Sequence, residues 1–340
     1  MDSKIRTLIN KLKNPATGAS LLTPSWVQHI SHEEGVVRLM IELPASEIHR
    51  AEVIKEILEE KISKVRHVRK VEVLITVHRS SHKKTQLEKK IDLPQIKNII
   101  AVSSGKGGVG KSMVAVNLAY ALAQMGAEVG LLDLDVYGPS IPLMLGLKQR
   151  PENEEGKLQP LKYGPLKCIS MGMMIPPEKA VIWRGPLVQL AVQQLLRDVA
   201  WGELDYLILD TPPGTGDVHL TLAQAVDLTG AIIVTTPQEL ALIDARKGIA
   251  MYETVKVPVL GVVENMSTYK CGHCGKETAL FAKAGGLEES TKRNIPLLAQ
   301  IPFDLKIRES ADTGVPIAQA EPSYKSLFTT MAQALLKLKS

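Results

Sequence analysis

The sequence predicts an α/β protein with a mostly parallel sheet covered by helices on both faces, preceded by a small α+β domain. In the larger part, residues 95–340, short apolar segments alternate with amphipathic helical patterns, which is typical of strands buried between two helical layers. Because ligands bind beyond the carboxyl ends of parallel strands, functional residues are expected at that edge. The predicted strands are Ile99–Ser103, Val129–Asp133, Tyr206–Asp210, Ala231–Thr235, Val259–Val263 and Leu297–Ile301.

The small domain is predicted for residues 1–78, where helical spacing and strand-like runs of apolar residues follow one another. Residues 79–94 are polar and basic and predict a linker. The predicted elements of the small domain are a helix at Lys4–Lys13, a strand at Val36–Leu43, a helix after the capping residue Ser46 and a strand at Val68–Val77.

The net charge of +5 lies entirely in the N-terminal part of the chain. Residues 1–94 contain 17 Lys and Arg against 12 Asp and Glu, whereas residues 95–340 contain 24 of each. A solvated linker is the preferred interpretation over a patch for an acidic partner, because no basic amphipathic pattern accompanies the charge. Aromatic residues make up only 4% of the chain, so no stacking surface for single strands, and no specific nucleic-acid partner, is expected.

Cysteine usage and hydropathy predict a cytoplasmic protein without a membrane partner. The three cysteines cannot form a disulfide framework, and their odd number indicates a reducing compartment. No apolar run approaches the roughly 20 residues that span a bilayer. The N-terminus lacks the pattern of a signal peptide.

A phosphate-binding loop follows the first strand of the larger part. The segment fits the pattern G-x-x-x-x-G-K-[ST] between a strand and a helix, which is the context that this motif requires. Its backbone amides and the helix N-terminus suit phosphate oxygens, its second lysine suits the β- and γ-phosphates, and its serine suits Mg²⁺. The predicted nucleotide-binding residues are Gly105, Lys106, Gly107, Gly108, Val109, Gly110, Lys111 and Ser112.

Acidic residues follow two other predicted strands at the same edge of the sheet. Asp133 ends one strand, with Asp135 two residues later, and Asp210 ends another. An apolar strand that closes on an aspartate beside a phosphate loop suits Mg²⁺, which keeps several of its waters, so Asp210 is expected to act directly or through water. An aspartate at a strand end can also cap the next helix, but three at one edge favour the catalytic interpretation.

The early lysine of the loop, in the variant GKGGVGKS, resembles the nitrogenase iron protein, MinD and ParA class of ATPases. The resemblance implies ATP hydrolysis with Mg²⁺ by a face-to-face homodimer, in which Lys106 reaches the phosphates bound by the other subunit. Such a lysine counters charge that develops during phosphoryl transfer. In this class Asp135 would orient the attacking water, and Asp133 would contribute to the Mg²⁺ shell through water. Lys106, Lys111 and Asp135 are therefore the catalytic candidates.

Cys271 and Cys274 form a C-x-x-C motif in a glycine-bearing loop after a strand. It could be half of a zinc knuckle, a redox pair, or half of a site that a second chain completes. The third interpretation yields four thiolates, which hold zinc or an iron–sulfur cluster, and the residues alone do not choose between the two. Cys168 stands alone and is expected to be a small buried apolar residue.

Five segments together resemble the Mrp/ApbC family of iron–sulfur cluster carrier ATPases: 104–112, 132–146, 184–196, 210–224 and 262–275. The resemblance implies that Cys271 and Cys274 bridge a labile [4Fe–4S] cluster between two subunits, and that Asn265 contacts adenine. It also implies apo iron–sulfur proteins and a cluster-assembly scaffold as partners. Residues 1–78 resemble the iron–sulfur-assembly-like domain found before such ATPases, which favours recruitment of partners.

Two rival functions remain open on the sequence. A positioning switch like MinD or ParA, with a structural zinc at the cysteine pair, would use a C-terminal amphipathic helix; the apolar stripe is Leu327, Phe328, Met331, Leu335 and Leu338. A last helix that packs on the sheet explains this stripe equally well and is preferred. An electron-transfer ATPase like the nitrogenase iron protein is disfavoured, since its cluster cysteines lie far apart in sequence.

Overall fold

The computed structural model describes residues 9, 12, 21–22, 26–33, 35–44, 51–65, 68–78, 90–135, 138–174, 185–281 and 285–337. The chain divides into two compact units, Met1–Gln86 and Leu87–Ser340. Apart from Ile9 and Leu12, the helix predicted at Lys4–Lys13 lies outside the described residues, and so does Ser46, the predicted cap of the next helix.

Among its described residues, the N-terminal unit has a three-stranded sheet in the order β1-β2-β3 and the helix α1. β1 is antiparallel to β2, and β2 is parallel to β3. Three residues on one face of the helix, Ile54, Leu58 and Ile62, are fully buried in the core of this unit. The elements are β1 (Val27–Glu33), β2 (Val36–Pro44), α1 (Ala51–Ser63) and β3 (Lys70–His78).

The sequence does not predict β1, because the alternation of apolar and polar residues along this strand is interrupted. The pairing of β1 with β2 shifts register between Val27 and His29, so that Val27 and Ile30 are both buried although they are three positions apart. A β-bulge inserts one residue and thereby moves the later side chains to the opposite face. A search for strict alternation therefore does not detect this strand.

The C-terminal unit is built on one large, mostly parallel sheet. Its strands are β4 (Ile99–Ser103), β5 (Val129–Asp133), β8 (Leu161–Tyr163), β9 (Leu166–Ser170), β10 (Tyr206–Asp210), β11 (Gly230–Thr235), β12 (Val259–Lys270), β13 (Glu277–Thr278) and β14 (Leu297–Phe303). Across the sheet the order is β13-β12-β11-β4-β10-β5-β9-β8, and β14 pairs with β12. Only the pairs β12–β13 and β8–β9 are antiparallel among the strands described in this sheet. A separate pair contains β6 (Asn153–Glu154) and β7 (Lys157–Leu158).

Helices cover both faces of this sheet, and the predicted fold class is confirmed. Alternate residues of β4 face opposite layers: Ile100 packs with the helices at Lys111–Gln124 and Pro322–Lys337, whereas Ile99 packs with the helix at Gly185–Asp198. The helices are α2 (Lys111–Gln124), α3 (Ile141–Met144), α4 (Gly185–Asp198), α5 (Asp217–Ala225), α6 (Glu239–Thr254), α7 (Gly285–Arg293), α8 (Leu305–Thr313), α9 (Ile317–Ala320) and α10 (Pro322–Lys337), with a 3₁₀ turn at Met171–Met174.

The apolar stripe of the last helix is used for packing. Phe328, Met331 and Leu335 are buried in the same core as α2. Burial of each such side chain contributes about 1.5–3 kcal/mol to folding. Leu338, the last residue of the predicted stripe, lies outside the described residues. Among the described helices, none is both long and apolar enough to cross a bilayer.

Candidate functional site

The phosphate loop connects β4 to α2 at the carboxyl edge of the sheet, with β10 and β11 on either side of β4. Close packing against neighbouring segments explains why two positions of this loop, 105 and 110, are glycine. A Cβ atom at Gly105 would lie 2.3 Å from the carbonyl carbon of Asp244 on α6. Gly110 has a φ of +86°, and a Cβ there would lie 2.2 Å from Nδ2 of Asn265. The loop is therefore held between two neighbouring segments, with no space for side chains at these positions.

The second lysine of the loop lies in a cluster of acidic side chains. Lys111 is only 6% exposed, and its Nζ lies 2.6 Å from Oδ1 of Asp210 and 4.0 Å from Oδ2 of Asp135. The same ammonium group donates to Oγ of Ser112 at 3.2 Å. Four residues predicted for phosphate, Mg²⁺ and water thus meet at one point.

Strand register brings the strand-end residues side by side. Asp210 is the register partner of Asp133 on β5, and Asp133 is the partner of Ser170 on β9. Asp133 accepts hydrogen bonds from the Ser170 hydroxyl at 2.9 Å and from the backbone N–H of Asp135 at 3.0 Å. Ser170 has no motif signal in the sequence, since only strand order places it here.

Two of the carboxyl groups are fully buried, which makes their charge costly. Burial, and then the charge of Asp210, raise the pKa of Asp133 to about 7. Burial also raises the pKa of Asp210, although Lys111 opposes this effect. Within the described part of the chain, Oδ2 of Asp210 is buried without a hydrogen-bond partner. An unpartnered buried acceptor beside the Ser112 hydroxyl fits a hydrated Mg²⁺ ion, whose charge and waters would satisfy it.

The segment after β10 is tied to the phosphate-loop strand. Thr211 donates its backbone N–H and its hydroxyl to the carbonyl of Val102, and Gly214 donates its N–H to the carbonyl of Ser104 at 2.8 Å. At the end of β5, Oδ1 of Asp135 accepts from the N–H of Gly138 at 3.2 Å. Hydrogen bonds to the phosphate-loop strand therefore position the loop after Asp210, whereas the Asp135 carboxylate stabilises the turn of its own loop.

The early lysine of the loop is bound within its own chain. Nζ of Lys106 donates to Oε1 of Gln238 at 3.2 Å, at the start of α6. Two apolar side chains on the first turns of the same helix, Leu240 and Ile243, are 73% and 38% exposed. Gln238 carries no motif signal, so the sequence alone does not predict this contact.

Asn265, on β12, lies against the phosphate loop at Val109 and Gly110. Its Nδ2 donates to the carbonyl of Val109 at 2.9 Å, and the side chain is buried. The preceding residue, Glu264, is also buried and accepts from Gln300 and from the N–H of Gly286. Asn265 thus positions the loop, while its predicted contact with adenine stays a prediction.

The cysteine pair lies on a hairpin that extends from the sheet. β12 passes Met266, which has a φ of +56°, and continues to Lys270, where it pairs with β13. Cys271 donates its N–H to the carbonyl of Lys276 at 3.0 Å, and Gly275 donates to the carbonyl of Cys271 at 2.8 Å. This closed turn at a hairpin tip differs from the helix N-terminus used by thioredoxin-like redox pairs.

The two cysteines of the hairpin are more exposed than Cys168, and Cys271 also differs from it in pKa. The backbone N–H groups of Cys274 and then His273 lower the pKa of Cys271, which is half-buried. Burial raises the pKa of Cys168 to about 12, so this thiol is inert. No group of three or more His, Cys, Asp or Glu residues suited to a metal occurs among the described residues. Within that part of the chain, the hairpin therefore offers the sulfur atoms of two cysteines to a metal.

Comparison with known proteins covers both units. The family profile of the NUBPL iron-transfer P-loop NTPases matches residues 95–336, and that of iron–sulfur cluster assembly proteins matches residues 2–75. The iron–sulfur cluster carrier protein of Haemophilus influenzae is 40% identical over 338 residues, which cover 99% of this chain and 90% of the relative. The protein of the same name from Escherichia coli is 41% identical over 330 residues, with coverage of 96% and 89%.

Solved structures agree with this assignment. A nucleotide-binding protein of Archaeoglobus fulgidus in complex with ADP is 40% identical, with a TM-score of 0.61 and coverage of 69% of this chain and 93% of that one. The cell division ATPase MinD of Pyrococcus furiosus, at 24% identity and a TM-score of 0.54, covers 71% of this chain and shares the fold. The resemblance drawn from the motifs is confirmed, and the chain belongs to the NUBPL iron-transfer family of P-loop NTPases.

Proposed function

We propose that this protein is an ATP-hydrolysing carrier that holds a labile [4Fe–4S] cluster between two copies of the chain and passes it to apo-proteins. One observation carries the proposal: a single strand, β12, contacts the phosphate loop through Asn265 and ends at Lys270, directly before Cys271. The names of the relatives, iron–sulfur cluster carrier proteins, support the same cargo. The cluster is the transported substrate and not a permanent cofactor.

In the proposed ATPase site, Lys111 and the loop amides bind the β- and γ-phosphates. Mg²⁺ would be held by the Ser112 hydroxyl and, through water, by Asp133 and Asp210, and it would neutralise phosphate charge. Asp135 orients the attacking water. The buried acidic cluster supports this assignment, because burial raises the pKa values of two carboxyl groups that a cation would keep ionised.

The proposed dimer joins two such sites face to face. Lys106 leaves Gln238 and reaches the ATP of the other subunit, where it stabilises charge in the transition state. The exposed side chains of Leu240 and Ile243 next to Lys106 offer apolar surface for that interface. Since a [4Fe–4S] cluster takes four cysteine ligands, two hairpins supply them where one cannot.

We further propose that the carrier acts in the cytoplasm on apo iron–sulfur proteins. The odd number of cysteines suits a reducing compartment. The N-terminal unit, which matches the assembly-protein profile, would recruit an assembly scaffold or acceptors. Residues 79–94 would serve as the basic linker between residues 1–78 and the ATPase domain at 95–340.

Anaerobic reconstitution tests the cluster proposal. Iron, sulfide and zinc analysis with a visible spectrum should approach one [4Fe–4S] cluster per dimer. Cys271→Ala or Cys274→Ala should remove it, because a dimer that keeps two thiolates cannot complete the coordination. Cys168→Ala is the matched control and should load normally. Stoichiometric zinc, with no iron after reconstitution, would support the positioning switch with a structural zinc instead.

A further inference from the structure

A cleft of about 560 Å³ opens beside the cysteine hairpin. Four segments form its walls: the end of β12, the hairpin turn with the start of β13, the junction of β14 with α8, and the first turns of α10. Cys271 is part of the wall, whereas Cys274 is not. The cleft therefore gives access to one side of the cysteine pair.

Apolar side chains in this cleft are exposed to water. Phe303 is 40% exposed and Leu305 is 59% exposed, although single surface residues of this kind are usually scattered. The ring of Phe303 lies 6.5 Å from that of Tyr269, so aromatic surface continues towards the hairpin. Apolar surface concentrated at a functional group marks a site of interaction.

The walls of the cleft are held in place before any partner binds. The buried Tyr324 donates its hydroxyl to Oδ2 of Asp304 at 2.9 Å. Oδ1 of Asp304 accepts from the N–H of Lys306 and caps α8. The hydroxyl of Ser267 ties β12 to β14 by donating to the carbonyl of Ile301. A rigid, concave surface binds without a further cost of ordering.

We propose that this cleft docks an apolar, cysteine-bearing segment of the acceptor protein, so that the incoming thiol meets the cluster on the side of Cys271. The proposal rests on the carrier function. The sulfur of the incoming thiol forms a bond to iron, the bond between iron and Cys271 breaks, and the thiol proton passes to the Cys271 sulfur. No electron is gained or lost.

The acceptor suits this cleft better than a second copy of the chain. In a two-fold dimer the same surfaces face each other, and two concave clefts do not fill one another. The hairpin tips, which could fill them, are committed to the shared cluster. The volume is within the range of about 300–1,000 Å³ that ligand sites occupy, which suits a few side chains of a partner.

The test compares two variants of the full chain loaded with cluster. The double variant Phe303→Ser/Leu305→Ser removes the exposed apolar wall. Leu190→Ser, on α4 at the opposite face of the sheet, is the control, since Leu190 is 62% exposed. With an apo-ferredoxin as the acceptor probe, the second-order rate of cluster transfer should fall about tenfold or more in the double variant, as expected when interface anchors are lost.

Further measurements distinguish a docking role of the cleft from a role in cluster binding, ATP hydrolysis or dimer formation. Cluster content, ATPase rate and iron release to a small chelator should match the wild type in both variants. Equal transfer by the double variant and the wild type would overturn the proposal, and so would an equal slowing of transfer and chelator release. Loss of the dimer on size exclusion would assign the cleft to a second copy. A wild type that loads no cluster would refute the carrier function itself.

Discussion

Removal of Lys111 should reveal a large electrostatic coupling with Asp210. Their atoms are 2.6 Å apart, with the side chains 6% and 0% exposed. Lys111→Met leaves Asp210 buried without its counter-charge, which costs about 3–5 kcal/mol in similar buried pairs. At about 2–4 °C per kcal/mol for a unit of this size, the melting temperature should fall by about 6–20 °C.

Calorimetry without nucleotide and with a chelator measures this loss free of ligand effects. The exposed pair of Lys97 and Asp205, at 2.8 Å, supplies the matched control: Lys97→Met should leave the melting temperature almost unchanged, because water screens the pair. The double variant Lys111→Met/Asp210→Asn should recover much of the stability that Lys111→Met loses. Equal losses for Lys111→Met and Lys97→Met, or strictly additive losses in the double variant, would refute the reasoning.

Three other perturbations have defined outcomes. Lys106→Ala should keep nucleotide binding but lose turnover, as measured by isothermal titration and phosphate release; normal hydrolysis would exclude action across the interface. Asp135→Ala should slow hydrolysis and so increase the dimer seen by size exclusion with ATP and Mg²⁺, and a purely monomeric elution would contradict the proposed dimer. Burial lowers the pKa of His219 to about 4; its contribution to stability, present above its unfolded pKa of about 6.5, should therefore be lost as pH falls towards 4, by at most about 1.4 kcal/mol per pH unit. His219→Gln should remove that part of the pH dependence of urea unfolding, and an unchanged slope would show that His219 does not titrate in this way.

The sequence by itself determined the local features of this protein. The glycine loop, the C-x-x-C motif and the six predicted strands of the larger part are contiguous patterns, so the chemistry of a few neighbouring residues is sufficient to identify them. β1 was missed because its bulge at Val27–His29 breaks the alternation. The sequence left two alternatives for the last helix, packing on the sheet or the amphipathic helix of a positioning switch. Burial of Phe328 and Met331 in the structure favours packing on the sheet.

Only the tertiary structure decided which distant residues meet. Lys111 and Asp210 are 99 positions apart, Lys106 and Gln238 are 132 apart, and Asn265 and Val109 are 156 apart. These contacts follow from strand order, with β4 between β10 and β11. Strand order depends on burial across the whole sheet, whereas propensity and periodicity act over a few residues. The same reason explains why the cleft beside Cys271 has no signature in the sequence.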